Sequence, residues 1–189
     1  MEPGHVAAVV GIHRLVLPTF TAGIPGLLER LYESLLSDSS SACRVLSRAA
    51  QSEVSGFLTA TADYARTLRH VEESVPLALR LETACHIFSS PKRLSEWFSH
   101  WRLERHVQAS FQKPYPTILT FGLAPEIQGR GLGKLFITAS DDFFRSQGFY
   151  FYYVDTLRTN AQAKAFYEKN GFKPHSEFLR HAIYSKDLR

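Results

Sequence analysis

The strongest constraint in this sequence is a glycine-rich turn. The stretch Leu123-Ala124-Pro125-Glu126-Ile127-Gln128-Gly129-Arg130-Gly131-Leu132-Gly133-Lys134-Leu135 lies between two segments of different period. Thr117 to Leu123 is apolar and β-prone, and Leu135 to Phe144 has helical spacing. A strand that feeds a helix through such a turn leaves unpaired backbone N–H groups at the helix start. Glycines let a ligand approach that backbone, and the helix dipole favours negative charge there. The turn therefore reads as an anion cradle, above all for phosphate. Two common cradles are excluded by spacing. A nucleoside-triphosphate loop needs glycine where Gln128 stands and Ser or Thr where Leu135 stands. A dinucleotide loop needs two residues between its second and third glycines, whereas Gly129, Gly131 and Gly133 alternate.

Composition narrows the setting. The 189 residues, 44% hydrophobic and 21% charged, suffice for one well-buried domain with room for an insertion. There is no apolar run long enough for a membrane span and no secretory pattern at the N-terminus. Cys43 and Cys85 are too few for a disulfide or zinc framework and read as buried thiols of a reducing compartment, with cytoplasm the expected location. Four histidines in 63–111 (His70, His86, His100, His106) match no metal spacing, so no metal is expected. The net charge of +4 falls after the glycine turn, where residues 128–189 carry ten Lys/Arg against six Asp/Glu. A polyanionic cofactor on that half, or ordinary surface charge, accounts for it. No basic cluster interleaved with aromatics suggests nucleic acid.

Along the chain, Val6, Val9, Val10, Ile12, His13, Val16 and Leu17 predict a helix stopped by Pro18. Ile24 to Leu36 predicts a second, with Leu27, Leu28, Leu31 and Leu35 on one face. After a serine loop, Cys43–Ala49 and Val54–Ala60 read as a hairpin joined through Gln51-Ser52-Glu53. Residues 63–111 break the strand pattern and suggest two or three short helices, with Pro76 and Pro91 at helix starts. The cluster Trp97, Phe98 and Trp101 reads as the apolar seam that docks this segment, or as a lid over a substrate. Then follow a strand at 117–123, a helix at 132–146, a strand at 149–156, a helix at 160–170, and strands at 172–178 and 182–187.

A second motif, Asn160-Ala-Gln-Ala-Lys-Ala-Phe166-Tyr167-Glu-Lys-Asn-Gly171-Phe172, lies about thirty residues after the glycine turn. Together, Gln128-x-x-Gly131-x-Gly133 after a strand ending in Leu-x-Pro and this Asn-to-Phe helix resemble the GNAT superfamily of N-acetyltransferases. The resemblance covers 43–60 and 115–187 well, and 1–36 and 63–111 weakly. It implies an α/β (α+β) fold: a mixed, mostly antiparallel sheet flanked by helices, formed by 1–189 as one domain. Residues 63–111 would be a helical insertion before the central strand. The first strand usual in that family is missing from this sequence or lies upstream of Met1.

The resemblance also implies roles. Acetyl-CoA would be the acyl donor, its pyrophosphate held by backbone N–H groups of Gly129, Arg130, Gly131, Leu132, Gly133 and Lys134, with Gln128 in the motif and Arg130 and Lys134 adding charge. Leu123 and Ala124 would lie where the strand splays from its neighbour and exposes backbone to the pantetheine arm. Asn160 would hydrogen-bond that arm and Phe166 would pack against it. Tyr167 would protonate the departing thiolate. Simpler readings stand beside these: Asn160 as a helix cap, Phe166 and Tyr167 as packed aromatics, Arg130 and Lys134 as solvated charges. Asp155, twelve residues before Tyr167 and on a strand face with Phe149, Phe151 and Tyr153, is the candidate base for the amine. Pairing with Arg158 is its structural alternative, and Glu126 is the second candidate. The expected activity is acetyl transfer to a primary amine by direct attack in a ternary complex. The acceptor stays open between a small amine, an amino sugar and a protein amine, and a homodimer is compatible. The alternative is a non-catalytic CoA-binding or interaction module working through the Trp-rich insertion.

Overall fold

The computed structural model describes residues 1–17, 23–47, 53–111 and 113–189, the side chains of residues 108 and 110 excepted. A 3-10 turn, Pro3–His5, leads into α1 (Val6–Val16), whose buried side is Val6, Val9, Val10, Ile12 and His13, as the spacing predicts. No strand precedes α1 among the described residues. The predicted stop at Pro18 and the hairpin link at Gln51-Ser52 lie outside the described residues. Helix α2 (Leu27–Ser37) starts later than Ile24, because Pro25 and left-handed Gly26 (φ 75°) turn the chain first. Its buried side is Leu28, Tyr32, Ser34 and Leu35, so the helix is rotated toward Tyr32 and leaves Leu27 and Leu31 only half-buried.

β1 (Ser41–Ser47) and β2 (Val54–Thr61) form the expected antiparallel hairpin. The remaining strands are β3 (Thr117–Leu123), β4 (Phe151–Leu157), β5 (Lys173–Phe178) and β6 (His181–Asp187). They make one six-stranded sheet in the order β1-β2-β3-β4-β6-β5. Only β3 and β4 run parallel, so the sheet is mixed and mostly antiparallel.

Alternation along the strands sends side chains to two cores. Leu58, Ile118, Tyr152, Val154 and Tyr184 point to one face, where α6 (Gly133–Ser146) and α7 (Ala161–Lys169) contribute Phe136, Ile137, Phe144 and Tyr167. Phe57 points to the other face, under α1 and α2. The segment after β2 forms three helices, α3 (Tyr64–Ser74), α4 (Leu77–Phe88) and α5 (Pro91–Ser110), the last being long rather than short. α5 covers the far half of the α1–α2 face: Leu103 and Val107 pack with Tyr115 and Ile183, and Phe111 and Tyr153 lie against them. The docking seam is thus this last stretch of α5. The predicted seam of Trp97, Phe98 and Trp101 does not dock, since Phe98 and Trp101 are exposed. Cys85 is likewise exposed rather than buried, whereas Cys43 is buried as expected.

One buried carboxylate ties α3 to the sheet. Asp38, 6% exposed, accepts from the Ser40 backbone N–H (3.1 Å), the Ser41 hydroxyl (2.8 Å) and the Thr67 hydroxyl of α3 (2.5 Å). Burial pushes its pKa up, but these donors outweigh it and hold the carboxyl below its usual range. On the same face His13, 2% exposed, hydrogen-bonds Tyr32 Oη at 2.6 Å. Burial, with a smaller push from the Arg14 charge, lowers its pKa from 6.5 to about 4.

Two outcomes follow. Asp38→Ala removes the shared acceptor of the Ser40 N–H and of the Ser41 and Thr67 hydroxyls and should cost about 2–4 kcal/mol in urea unfolding. His13 is neutral when folded and protonates at pH 6.5 when unfolded. Its contribution to stability is therefore complete above that pH and is lost as pH falls toward 4. The loss should reach about 2 kcal/mol at pH 5, and His13→Gln should flatten that part of the stability–pH profile.

Candidate active site

After β3 the Ala124 N–H donates to Ser55 O at 2.8 Å, and a 3-10 turn, Pro125–Ile127, redirects the chain. Gln128 Nε2 then donates back to Leu123 O at 2.9 Å and staples the loop across its base. Gly129 and Gly131 take φ values of 73° and 78°, the left-handed conformation that a side chain disfavours. A Cβ at either would meet no atom within 4 Å, so the backbone fronts open space. Gly133 is needed for a different reason: a Cβ there would come within 2.8 Å of the Phe166 ring. Among the described residues, the amides of Gly129 to Gly133 donate to no protein acceptor, and only Lys134 and Leu135 N–H bond back to Gly131 and Leu132. These free amides at the start of α6 fit a diphosphate.

The other predicted loop residues divide. Lys134 is exposed and lines the cleft described below; Arg130 is exposed but does not. Leu132 packs its side chain under α1 and α2. Ala124 is buried in that same core and does not line the cleft, whereas Leu123 does. The strands part earlier. β3 and β4 pair only at Thr117–Tyr153 and Ile118–Val154, and beyond Ile118 they diverge. Leu119 to Leu123 therefore open on a cleft of about 1280 Å³ that runs through the sheet.

On the α6–α7 side, Phe121 stacks on Phe166 with ring centroids 5.4 Å apart. Asn160 caps α7, its Oδ1 accepting from Ala163 N–H at 3.0 Å, and also lines the cleft. Tyr167 is 6% exposed, its ring held between Phe166, Phe172 and Tyr184. Tyr152, Tyr184 and Tyr64 donate to Asp141, Glu168 and Glu104 respectively. The Tyr167 hydroxyl, by contrast, has no partner among the described residues, yet it lines the cleft. Burial, reinforced by the charge of Asp155, pushes its pKa well up and keeps the phenol protonated.

Asp155 projects from the opposite face of the sheet and reaches the same cleft. Its partner is His181, Nδ1 to Oδ2 at 2.9 Å, rather than Arg158, which pairs with Glu177. The aromatic face predicted around it is only partly real. β4 begins at Phe151, which is exposed, Phe149 packs against the core of the other face, and the buried residues are Tyr152 and Val154. Glu126 sits exposed on the 3-10 turn away from the cleft.

Three cleft residues escaped the sequence reading. Glu104 of α5 lies 3.2 Å from His100 Nε2 and accepts from Tyr64 Oη at 3.4 Å. Burial opposes a charge on His100, but the Glu104 bond and the charges of Glu104 and Asp155 prevail and raise its pKa. Glu96, His100 and Glu104 recur every four residues, a signal present in the sequence. Apolarity pointed the other way, because Leu94, Phe98 and Trp101 share a helical spacing of their own and yet are exposed.

Comparison with known proteins agrees with this geometry. Residues 93–172 match the model of the Acetyltransferase (GNAT) family. Among solved structures, the chain is similar to PaiA N-acetyltransferase from Thermoplasma acidophilum in complex with coenzyme A: TM-score 0.60, 14% identity, 99% of this chain and 95% of that one. It is similar to the ribosomal-protein-S18-alanine N-acetyltransferase of Escherichia coli: TM-score 0.58, 13% identity, 100% and 90% covered. It is also similar to a spermidine N-acetyltransferase SpeG chimera from Vibrio cholerae and hSSAT: TM-score 0.61, 16% identity, 100% and 92% covered. These likenesses are of fold. No curated protein matches the sequence.

The packing at Gly133 is open to direct test. Gly133→Ala drives a methyl into the Phe166 ring and should cost about 1–3 kcal/mol in thermal or chemical unfolding. The double variant Gly133→Ala/Phe166→Leu should recover part of that loss.

Proposed function

We propose that this chain, a GNAT acetyltransferase by the family of residues 93–172 and by its fold, moves an acetyl group from acetyl-CoA to a primary amine by direct attack in a ternary complex. The observation that carries the proposal is the cleft at the β3–β4 parting, which joins the glycine turn, the unbonded Tyr167 hydroxyl and Asp155. When bound, acetyl-CoA supplies an activated thioester carbonyl. The amides of Gly129 to Gly133 would hold its diphosphate, with Lys134 adding charge. The open edge of Leu119 to Leu123 and the Asn160 side chain would carry the pantetheine arm, and the Phe121–Phe166 pair would form its apolar wall.

The amine must lose a proton to attack. Asp155, paired with His181, would accept it directly or through one water. Tyr167 would then return a proton to the leaving sulfur from the other side of the cleft. The acceptor end is walled by α3 and α5, from the segment 63–111, which supports reading that segment as an insertion within one domain that sets specificity. With Glu96, Glu104 and Asp155 on its walls, that end favours an acceptor that arrives as an ammonium ion. Neither motif contains a cysteine, so no covalent acyl-enzyme is invoked.

Tyr167→Phe should lower kcat on the order of 100-fold while leaving the calorimetric Kd for CoA unchanged. Asp155→Asn should lower kcat and shift its pH profile. Gly131→Asp sets a carboxylate and a strained φ against the diphosphate, so CoA binding should fall by at least about 100-fold. Turnover that survives Tyr167→Phe would remove the proton-donor role. A wild-type protein that binds CoA yet acetylates nothing in a broad amine panel would instead support the non-catalytic module.

A further inference from the structure

The two helices α4 and α5 carry an outer surface that the acetyl-transfer reading does not use. Six large hydrophobic residues are exposed there: Leu77, Leu81 and Phe88 on α4, and Leu94, Phe98 and Trp101 on α5. Their spacing is helical. Leu77, Leu81, Cys85 and Phe88 form one stripe along α4, and Leu94, Phe98, Trp101 and Arg105 form another along α5. Half of the exposed large hydrophobics among the described residues therefore fall within one helical hairpin, which marks an interaction site rather than scattered surface apolarity.

Charge decides what that surface fits. On α5, Glu96 and Glu104 turn into the cleft, whereas Lys92, Arg102 and Arg105 are exposed. The Arg105 guanidinium lies 4.9 Å from the Trp101 ring centroid, and that of Arg102 lies 6.0 Å from Phe98. Glu82 is the one exposed carboxylate of the two helices. A second copy of this chain would set these cations opposite themselves, which like-charge repulsion disfavours. A nucleic acid would match the cations but would leave the leucines and Phe88 of α4 without a use, because such interfaces are polar. A bilayer surface takes both: anionic headgroups attract arginine and lysine, tryptophan sits at the headgroup level, and leucine and phenylalanine enter the acyl boundary.

We propose that the α4–α5 hairpin is a peripheral docking surface for an anionic lipid bilayer. Neither the glycine turn nor α7 contributes a residue to this surface. The proposal is independent of the acetyl-transfer reading.

The chain offers a built-in probe, because its only two tryptophans, Trp97 and Trp101, both lie in α5. Tryptophan emission and vesicle flotation would be measured with phosphatidylcholine vesicles and with vesicles also containing phosphatidylglycerol. A blue shift and flotation on the anionic vesicles alone, weakened by high salt, are expected. Arg102→Glu/Arg105→Glu should lower the partition coefficient by at least about tenfold. Leu81→Ser/Phe98→Ser, at exposed sites that the folded core does not need, should do the same without changing the far-ultraviolet dichroism or CoA binding. No shift and no flotation on the anionic vesicles would overturn the proposal. So would a blue shift without lipid that tracks a concentration-dependent doubling of mass, which would assign the face to a second copy. Displacement from anionic vesicles by RNA, with RNA binding unaffected by Leu81→Ser/Phe98→Ser, would assign it to nucleic acid and equally overturn the proposal.

Discussion

The parallel contact between β3 and β4 lasts for only two residue pairs, and the candidate site depends on that brevity. Each strand is anchored on its other side. β3 pairs with β2 along its length, and β4 pairs with β6 from Phe151–Asp187 to Leu157–His181. The parting therefore costs only the ladder between the two strands, and the backbone groups it frees must find water or a ligand. It also breaches the sheet. Alternation sends Tyr167's surroundings to the α6–α7 face and Asp155 to the α1–α2–α5 face, where a continuous sheet would keep them apart. Through the breach they share one cleft.

The helical segment after β2 walls one side of the cleft, and its attachment is local at both ends. At the start, Thr67 of α3 bonds Asp38, and Asp63 accepts from Arg66 N–H to cap the helix. At the end, the turn of α5 bearing Leu103 and Val107 packs over Tyr115 and Ile183. Between those anchors α4 buries only Ile87, so the middle of the segment rides on its ends. The same arrangement turns Glu104 and His100 toward the cleft and Phe98 and Trp101 outward. One helix thus contributes polar groups to the cleft and aromatic groups to the surface.

Much of this was legible in the sequence because it is governed by neighbours in the chain. The order of strands and helices, the glycine turn between β3 and α6 and the Asn160 cap follow from local spacing and backbone chemistry. What depended on distant contacts was read less well. Tyr32 replaced Leu27 and Leu31 on the buried side of α2 because His13 and Phe57 lie across from it. Asp155 found His181 rather than Arg158 because β6 pairs with β4, a register that periodicity along β4 does not report. The splay was expected at Leu123 and Ala124; Leu123 does line the cleft, but Ala124 is held by Ser55 across the sheet, and the strands part from Leu119 on. For α5 the failure was one of sign: its apolar stripe of Leu94, Phe98 and Trp101 faces outward, and the side bearing Glu96, His100 and Glu104 lines the cleft, the reverse of what an apolar stripe predicts.

The burial of Tyr167 bears on how the two proton transfers would fit together. A phenol pushed well above its usual pKa holds its proton at any working pH, which suits a donor that must wait for the amine to attack. The same shift makes it a weaker acid, which would slow donation to a thiolate in water, where the ordinary thiol pKa is about 8.5. The leaving sulfur is not in water, however. It would depart within the walls that desolvate Tyr167, and desolvation raises the proton affinity of a thiolate as it raises that of a phenolate. What matters is the difference between the two, and a shared dry environment moves both in one direction. Asp155 adds a further control. Its negative charge adds to the burial that keeps the Tyr167 proton in place, and were Asp155 to take a proton from the amine, that part of the restraint would be gone. The charge that helps to hold the donor's proton would then be the one that the first transfer removes, which would ease the second.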